Sequence, residues 1–184
     1  CNTASNIYSK YLAYKYQDNV IPIIDITISE LSKYRNIEHV GIIATNQVIQ
    51  SGIYEKKIKN QYQVKTTSLA GSDLVELCEN YQIDKIRIYL KTYFNKFKQD
   101  KIDTLLLGCT HFNLIKNEIN EYFDGEVRII CSGYAFPDLI SKNYLCYSCG
   151  ENIIYLTDYN EAYVNKIKTL FGELKKVKIM SLNI

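Results

Sequence analysis

Short apolar runs alternate with amphipathic stretches along nearly all 184 residues of the chain. This alternation is typical of an α/β protein with mainly parallel sheets, in which buried strands are followed by helices that pack on the sheet. The apolar runs predict strands at Val20–Ile24, Val40–Ala44, Val64–Ser68, Thr104–Gly108, Val127–Cys131, Ile153–Thr157 and Val177–Leu182. The stretches between them predict helices at Ser5–Tyr16, Gln47–Asn60, Ser72–Asn80, Asp84–Gln99, Asn113–Phe123, Asp138–Leu145 and Asn160–Phe171.

Composition and charge narrow the class of protein. A hydrophobic content of 47% can supply a core, and 22 basic against 20 acidic residues leave a net charge of only +2. So small a net charge argues against a nucleic-acid or anionic-membrane partner. No apolar run approaches the roughly 18 residues of a membrane span, and no secretory signal is visible, which predicts a cytoplasmic protein. The 17 tyrosines are interpreted as compositional bias.

The six cysteines are too few and too irregularly spaced for a disulfide scaffold, so reduced thiols are expected. Cys146 and Cys149 have the spacing of half a zinc site or of a redox dithiol. No second cysteine pair or histidine lies near them in the sequence, and no metal is predicted. Cys78 has apolar neighbours and is expected in the core.

The apolar run 104–108 leads directly into Cys109, Thr110 and His111. In parallel α/β folds ligands bind at the carboxyl ends of strands, so these three side chains are candidates for a site. Free N–H groups after the strand could stabilise a thiolate, and Cys109 is expected to be partly ionised near neutrality. The alternative is a buried cysteine at a strand end beside a structural histidine.

The chain opens with a second cysteine followed by small hydrogen-bonding residues, Cys1, Asn2 and Thr3. A plain helix cap would explain this segment alone. Together with Cys109, however, it suggests two thiols that act on opposite faces of one carbon. One thiolate would remove a proton while the other thiol delivers one, which is the chemistry of a two-base racemase.

At this point the sequence resembles the glutamate racemase family. The segments that carry the resemblance follow the family's order and span nearly all of the chain: Cys1–Ser5, Gly41–Asn46, Ser51–Tyr54, Gly71–Leu77, Gly108–Phe112 and Ile153–Leu182. The resemblance implies interconversion of L- and D-glutamate without a cofactor or metal, with D-glutamate supplied to peptidoglycan. It also leaves a homodimer open.

The resemblance implies a role for each matched residue. Cys1 and Cys109 would be the opposed acid/base thiols. His111 would assist Cys109, and Glu76 would lie near Cys109 or the substrate ammonium group. The substrate would be bound by Asn2, Thr3, Thr110 and Thr45. The alternative for Glu76 is an ordinary solvated helix carboxylate.

Three positions depart from the family pattern. Val48 stands where a second threonine is usual, Asn113 replaces a proline, and Cys131 replaces an aspartate. The family's preceding strands are also missing before Cys1, so the chain on its own is expected to be inactive. The departures favour one alternative, an inactive or degenerate binding protein. A racemase for aspartate or another amino acid with the same thiol pair is the other alternative, although Cys109 and His111 together favour glutamate.

The family plan predicts two related α/β domains with the substrate between them. The first domain, which is incomplete at its N-terminus, would comprise residues 1–22 and 133–184. The second would comprise residues 23–132.

Overall fold

A computed structural model describes residues 1–16, 20–143, 152–156, 161–171 and 177–181. Contacts divide the chain into two compact units, Cys1–Tyr144 and Leu145–Ile184. Within the described ranges, no helix is both long and apolar enough to cross a membrane.

The first unit is built on a four-stranded parallel sheet with the strand order β2-β1-β3-β4. Its strands are β1 (His39–Ala44), β2 (Lys65–Ala70), β3 (Thr104–Gly108) and β4 (Arg128–Cys131). Every residue of β3 is buried, as expected for a central strand covered on both faces. The predicted α/β class and the four strands of this sheet are confirmed.

Helices cover the two faces of this sheet. They are α1 (Asn2–Tyr16), α2 (Ile23–Ser29), α3 (Asn46–Ser51), α4 (Ile53–Tyr62), α5 (Ser72–Glu79), α6 (Ile83–Tyr93), α7 (Asn95–Gln99), α8 (Lys116–Tyr122) and α9 (Ser132–Asn143). Short 3-10 segments lie at Glu30–Lys33 and Thr110–Ile115. The helix predicted over 47–60 is broken at Gly52, whose left-handed backbone (φ 62°) ends α3 and starts α4.

Side chains of successive strand residues enter separate cores on opposite faces of the sheet. Ile42 and Leu106 contribute to one core, which is shared with buried residues of α2, α3 and α4. Ile43 and Leu107 contribute to the other, which is shared with α5 to α8. The result is a three-layer α/β/α arrangement.

The strand predicted at Val20–Ile24 is wrong, because Ile23 begins α2. Pro22 stands at the N-cap with extended backbone (ψ 121°), and proline is well tolerated at a helix start. The buried positions that follow, Ile24, Ile26, Thr27 and Ile28, do not alternate as a half-buried strand requires. A short apolar run can be a strand or a buried helix, and packing decides which.

The second unit contains β5 (Asn152–Leu156), α10 (Glu161–Phe171) and β6 (Val177–Ser181). The two strands pair in parallel, as two strands joined by a helix should. The predicted order of strand, helix and strand is therefore confirmed. The predicted division into 1–22 plus 133–184 and 23–132 stays a prediction.

Gly108 ends the central strand at a point where a side chain has no room. A Cβ atom there would lie 2.9 Å from both Ala44 Cβ and Tyr54 Cε2. We expect Gly108→Ala to lower the free energy of unfolding by about 1–3 kcal/mol, because the neighbours are buried and closely packed. Urea denaturation measures the change.

Gly133 is the control, since it is exposed in α9 and a Cβ there would come no closer than 3.4 Å to another side chain. Gly133→Ala should be neutral or raise stability by up to about 1 kcal/mol, because alanine favours helix. Equal effects of the two substitutions would contradict the packing argument.

Candidate active site

The candidate site lies at the carboxyl edge of the four-stranded sheet. Ala44 is the register partner of both Ala70 and Gly108, so β1, β2 and β3 end at the same level. Thr45 and Cys109 are the next residues of β1 and β3. Leu107 is likewise opposite Cys131, which places the end of β4 at this edge.

Backbone hydrogen bonds hold the turns at this edge together. The N–H of Gly71, after β2, donates to the Ala44 carbonyl at 2.8 Å. The N–H of Asn46 donates to Ser72 Oγ at 2.9 Å. The turn that carries Thr45 is therefore tied to the turn that begins α5.

The first residues of the chain contact the same edge. Thr3 Oγ1 lies 3.1 Å from Thr45 Oγ1, and the Tyr54 hydroxyl donates to Asn2 Oδ1. Asn2 is only 2% exposed, and its Nδ2 atom has no hydrogen-bond partner among the described residues. The structure thus brings Asn2, Thr3 and Thr45 together, and it leaves a buried amide donor unused.

Cys109 begins a relay of three polar side chains. Its Sγ atom lies 3.6 Å from His111 Nδ1, and His111 Nε2 lies 2.9 Å from Glu79 Oε1. Cys109 is 6% exposed, whereas the His111 and Glu79 side chains are 38% and 49% exposed. A carboxylate can therefore orient the imidazole that contacts the thiol, as an acid/base pair requires.

Burial raises the pKa of the Cys109 thiol above its ordinary value. The backbone N–H groups of His111 and Phe112 act in the opposite direction, and Glu79 raises the pKa further. The expected N–H donors are present, but desolvation outweighs them. The thiol is accordingly the resting form of Cys109 near neutrality, contrary to the partial ionisation expected from the sequence.

Glu76 is not the carboxylate that meets His111. It lies exposed on α5, and the residue that reaches the imidazole is Glu79, three positions later on the same helix. Residues three positions apart lie on the same side of a helix but about 4.5 Å apart along its axis, and the structure places Glu79 at the level of His111. The sequence places an acidic helix beside the turn but does not identify the position in contact.

Thr110 is partly buried and begins the 3-10 segment that follows Cys109. Of the positions that depart from the family pattern, Val48 is fully buried in a core and Cys131 is 3% exposed. Asn113 donates from Nδ2 to Ser132 Oγ at 3.3 Å, which links the turn after β3 to the start of α9. The asparagine thus supplies a polar contact that a proline could not make.

The remaining cysteines fall outside this arrangement. Cys78 is buried in the core, and burial raises the pKa of its thiol to about 12. Among the described residues, no three His, Cys, Asp or Glu side chains gather as a metal site. Cys146 and Cys149 lie outside the described residues.

Comparison with known proteins agrees with this geometry. The family model for Asp/Glu/hydantoin racemases matches residues 1–136, which include both candidate thiols and every hydrogen bond described above. The chain belongs to this racemase family.

Individual relatives of this racemase include several glutamate racemases. Glutamate racemase from Aquifex aeolicus is 30% identical over 182 residues, which cover 98% of this chain and 71% of that protein. The structure of glutamate racemase from Aquifex pyrophilus is 28% identical with a TM-score of 0.70, covering 97% of this chain and 71% of that one. The Bacillus anthracis isoform RacE1 shares the fold with a TM-score of 0.87 at 23% identity, covering 100% and 72% of the two chains.

The two glutamates of α5 can be distinguished by the reactivity of Cys109. Because the charge of Glu79 raises the pKa of Cys109, Glu79→Gln should lower that pKa and move the alkylation of Cys109 to lower pH. Iodoacetamide labelling across a pH series, with the Cys109 peptide quantified by mass spectrometry, measures the midpoint.

Glu76→Gln is the matched control, because it removes one negative charge from the same helix without touching His111. Its alkylation midpoint should stay at the wild-type pH. A larger shift for Glu76→Gln than for Glu79→Gln would overturn the assignment of Glu79.

Proposed function

We propose that this racemase interconverts L- and D-glutamate by a two-thiol mechanism in which Cys1 and Cys109 act on opposite faces of the substrate Cα. One observation carries the proposal: the segment that bears Cys1 and the turn that bears Cys109 meet at one sheet edge. Thr3 and Asn2 contact Thr45 and Tyr54 there, and the Tyr54 ring packs against Gly108, the residue before Cys109. D-Glutamate made in this way would supply peptidoglycan synthesis.

The proton transfers follow from the environment of Cys109. In one direction Cys1, as thiolate, removes the Cα proton, and Cys109 delivers its thiol proton to the opposite face. The raised pKa of Cys109 suits this donor role, since the buried thiol holds its proton until the substrate is bound. One C–H bond breaks and another forms, and the cycle ends with Cys1 protonated and Cys109 ionised.

The reverse direction needs Cys109 as the base. His111 can donate from Nδ1 to the thiolate, and the Glu79 carboxylate, which contacts Nε2, holds the ring in that orientation. The role predicted for Glu76 is therefore proposed for Glu79. With these contacts, Cys109 can act as a thiol in one direction and as a thiolate in the other.

Polar groups at the sheet edge suit a small amino acid. The unused Nδ2 of Asn2 can donate to a substrate carboxylate, and burial strengthens that interaction. The hydroxyls of Thr3, Thr45 and Thr110 supply further donors or acceptors for the carboxylate and ammonium groups.

An aspartate or hydantoin racemase is the second candidate, because the matched family covers those substrates and Val48 removes one hydroxyl that the family pattern supplies. Glutamate is favoured by the relative that is 30% identical and matched along 98% of this chain. A degenerate binding protein would keep the fold but show no proton exchange.

The complete gene product should convert L-glutamate to D-glutamate. Circular dichroism should decay to zero, and in deuterium oxide the Cα proton should be replaced by deuterium. Aspartate and hydantoins should react more slowly under the same conditions. Exchange with aspartate only would identify an aspartate racemase. If no substrate showed exchange, the chain would be a degenerate binding protein.

Cys109→Ser should lower kcat for glutamate by about 10²–10⁴-fold, the usual contribution of a positioned acid/base. Cys78→Ser is a matched control, since Cys78 is also a buried thiol but lies on α5 with its side chain in the core. It should retain activity. Equal losses in the two variants would show that folding, rather than acid/base chemistry, had been lost.

A further inference from the structure

Tyr54 contacts both thiol-bearing segments. Its ring lies against Gly108, where an added Cβ would be 2.9 Å from Tyr54 Cε2, and its hydroxyl donates to Asn2 Oδ1. Tyr54 is fully buried on α4 although it is a tyrosine. A buried hydroxyl requires a partner, and here the partner is a predicted substrate-binding side chain.

The hydrogen bond fixes which way the Asn2 amide faces. An amide that accepts at Oδ1 must direct Nδ2 to the opposite side, and that Nδ2 is buried without a partner among the described residues. A buried donor left unsatisfied costs about 1–3 kcal/mol, so such an arrangement is unfavourable unless a ligand completes it. The Nδ2 donor is therefore available to an acceptor outside the described residues.

We propose that Tyr54 is a positioning residue for substrate recognition, which holds the Asn2 amide with Nδ2 directed at the carboxylate of the bound amino acid. The proposal rests on the proposed racemase function. Beyond that function, it assigns to Tyr54 the orientation of the Asn2 amide. Because Tyr54 also packs against Gly108, it links this orientation to the turn that carries Cys109.

The chemistry of Tyr54 suits a fixed donor. Burial raises the pKa of its hydroxyl. The Tyr54 proton is therefore retained throughout the neutral range and remains available to Asn2 Oδ1.

The test removes the hydroxyl and keeps the ring. In the complete gene product, Tyr54→Phe should raise KM for L-glutamate on the order of 10-fold while kcat changes less than 3-fold, because the freed amide no longer holds its donor toward the carboxylate. Tyr62→Phe is the matched control on the same helix, since Tyr62 donates to the Ile28 carbonyl at 3.2 Å, away from the sheet edge. It should leave both constants at wild-type values.

A second variant covers the case in which Tyr54→Phe fails to fold. Asn2→Asp keeps an acceptor for Tyr54 and replaces the Nδ2 donor with an oxygen, so KM should rise at least 10-fold. The buried carboxylate should also lower the melting temperature, so KM is measured below the unfolding transition of the variant. Where both variants fold, adding Tyr54→Phe to Asn2→Asp should raise KM by less than 2-fold further. If the KM increases of the two single variants instead multiplied in the double variant, the two residues would act independently and the proposal would be overturned.

Nuclear magnetic resonance separates this proposal from the proposed function. The side-chain amide resonances of Asn2 should shift and lose protection from exchange in Tyr54→Phe, but not in Tyr62→Phe, without any substrate present. If wild type failed to racemise glutamate and the resonances still moved, the function would fail and the positioning role would stand. Unchanged Asn2 resonances, or a fall in kcat that simply follows lost stability, would overturn the positioning role.

Discussion

The site depends on the close pairing of β1 and β3 at their carboxyl ends. Ala44 and Gly108 are register partners, and the absence of a side chain at Gly108 lets Ala44 and Tyr54 approach that strand end directly. A larger residue at position 108 would push β3, which leads to Cys109, away from α4, whose Tyr54 donates to Asn2. Parallel pairing brings the strand ends to one edge of the sheet, and the missing side chain of Gly108 lets Ala44 and Tyr54 pack closely against β3.

Much of the fold could be predicted because its signals are local. Buried strands such as 104–108 are short apolar runs bounded by turn residues, and Cys109 follows one of them directly. The segment around Pro22 could not be assigned in this way, since its apolar run satisfies both a strand and a buried helix. Only packing of Ile24 and Ile28 into the core selects the helix.

The candidate site was predicted less completely because contacts between elements decide it. Most of the candidate residues follow strands or begin helices, so the sequence alone predicts that they lie at the carboxyl edge of the sheet. These residues are the two thiols, His111 and the threonines. Glu79 lies three residues from Glu76, and only the orientation of α5 against the β3 turn distinguishes them. Tyr54 is one of 17 tyrosines, and nothing in the composition separates it from the exposed ones.

The two thiols begin similar motifs but lie in different surroundings. Cys109 is 6% exposed and has a histidine and a carboxylate behind it, whereas Cys1 is exposed and is followed by the Asn2 and Thr3 contacts. Burial favours the neutral form of Cys109. In the proposed cycle, one direction would therefore use Cys109 in its stable state, and the other would have to stabilise its thiolate. The His111–Glu79 pair lies on the side where that ion forms. In the proposed mechanism His111 would oppose the effect of burial by donating to the Cys109 thiolate, and Glu79 would hold the ring in place.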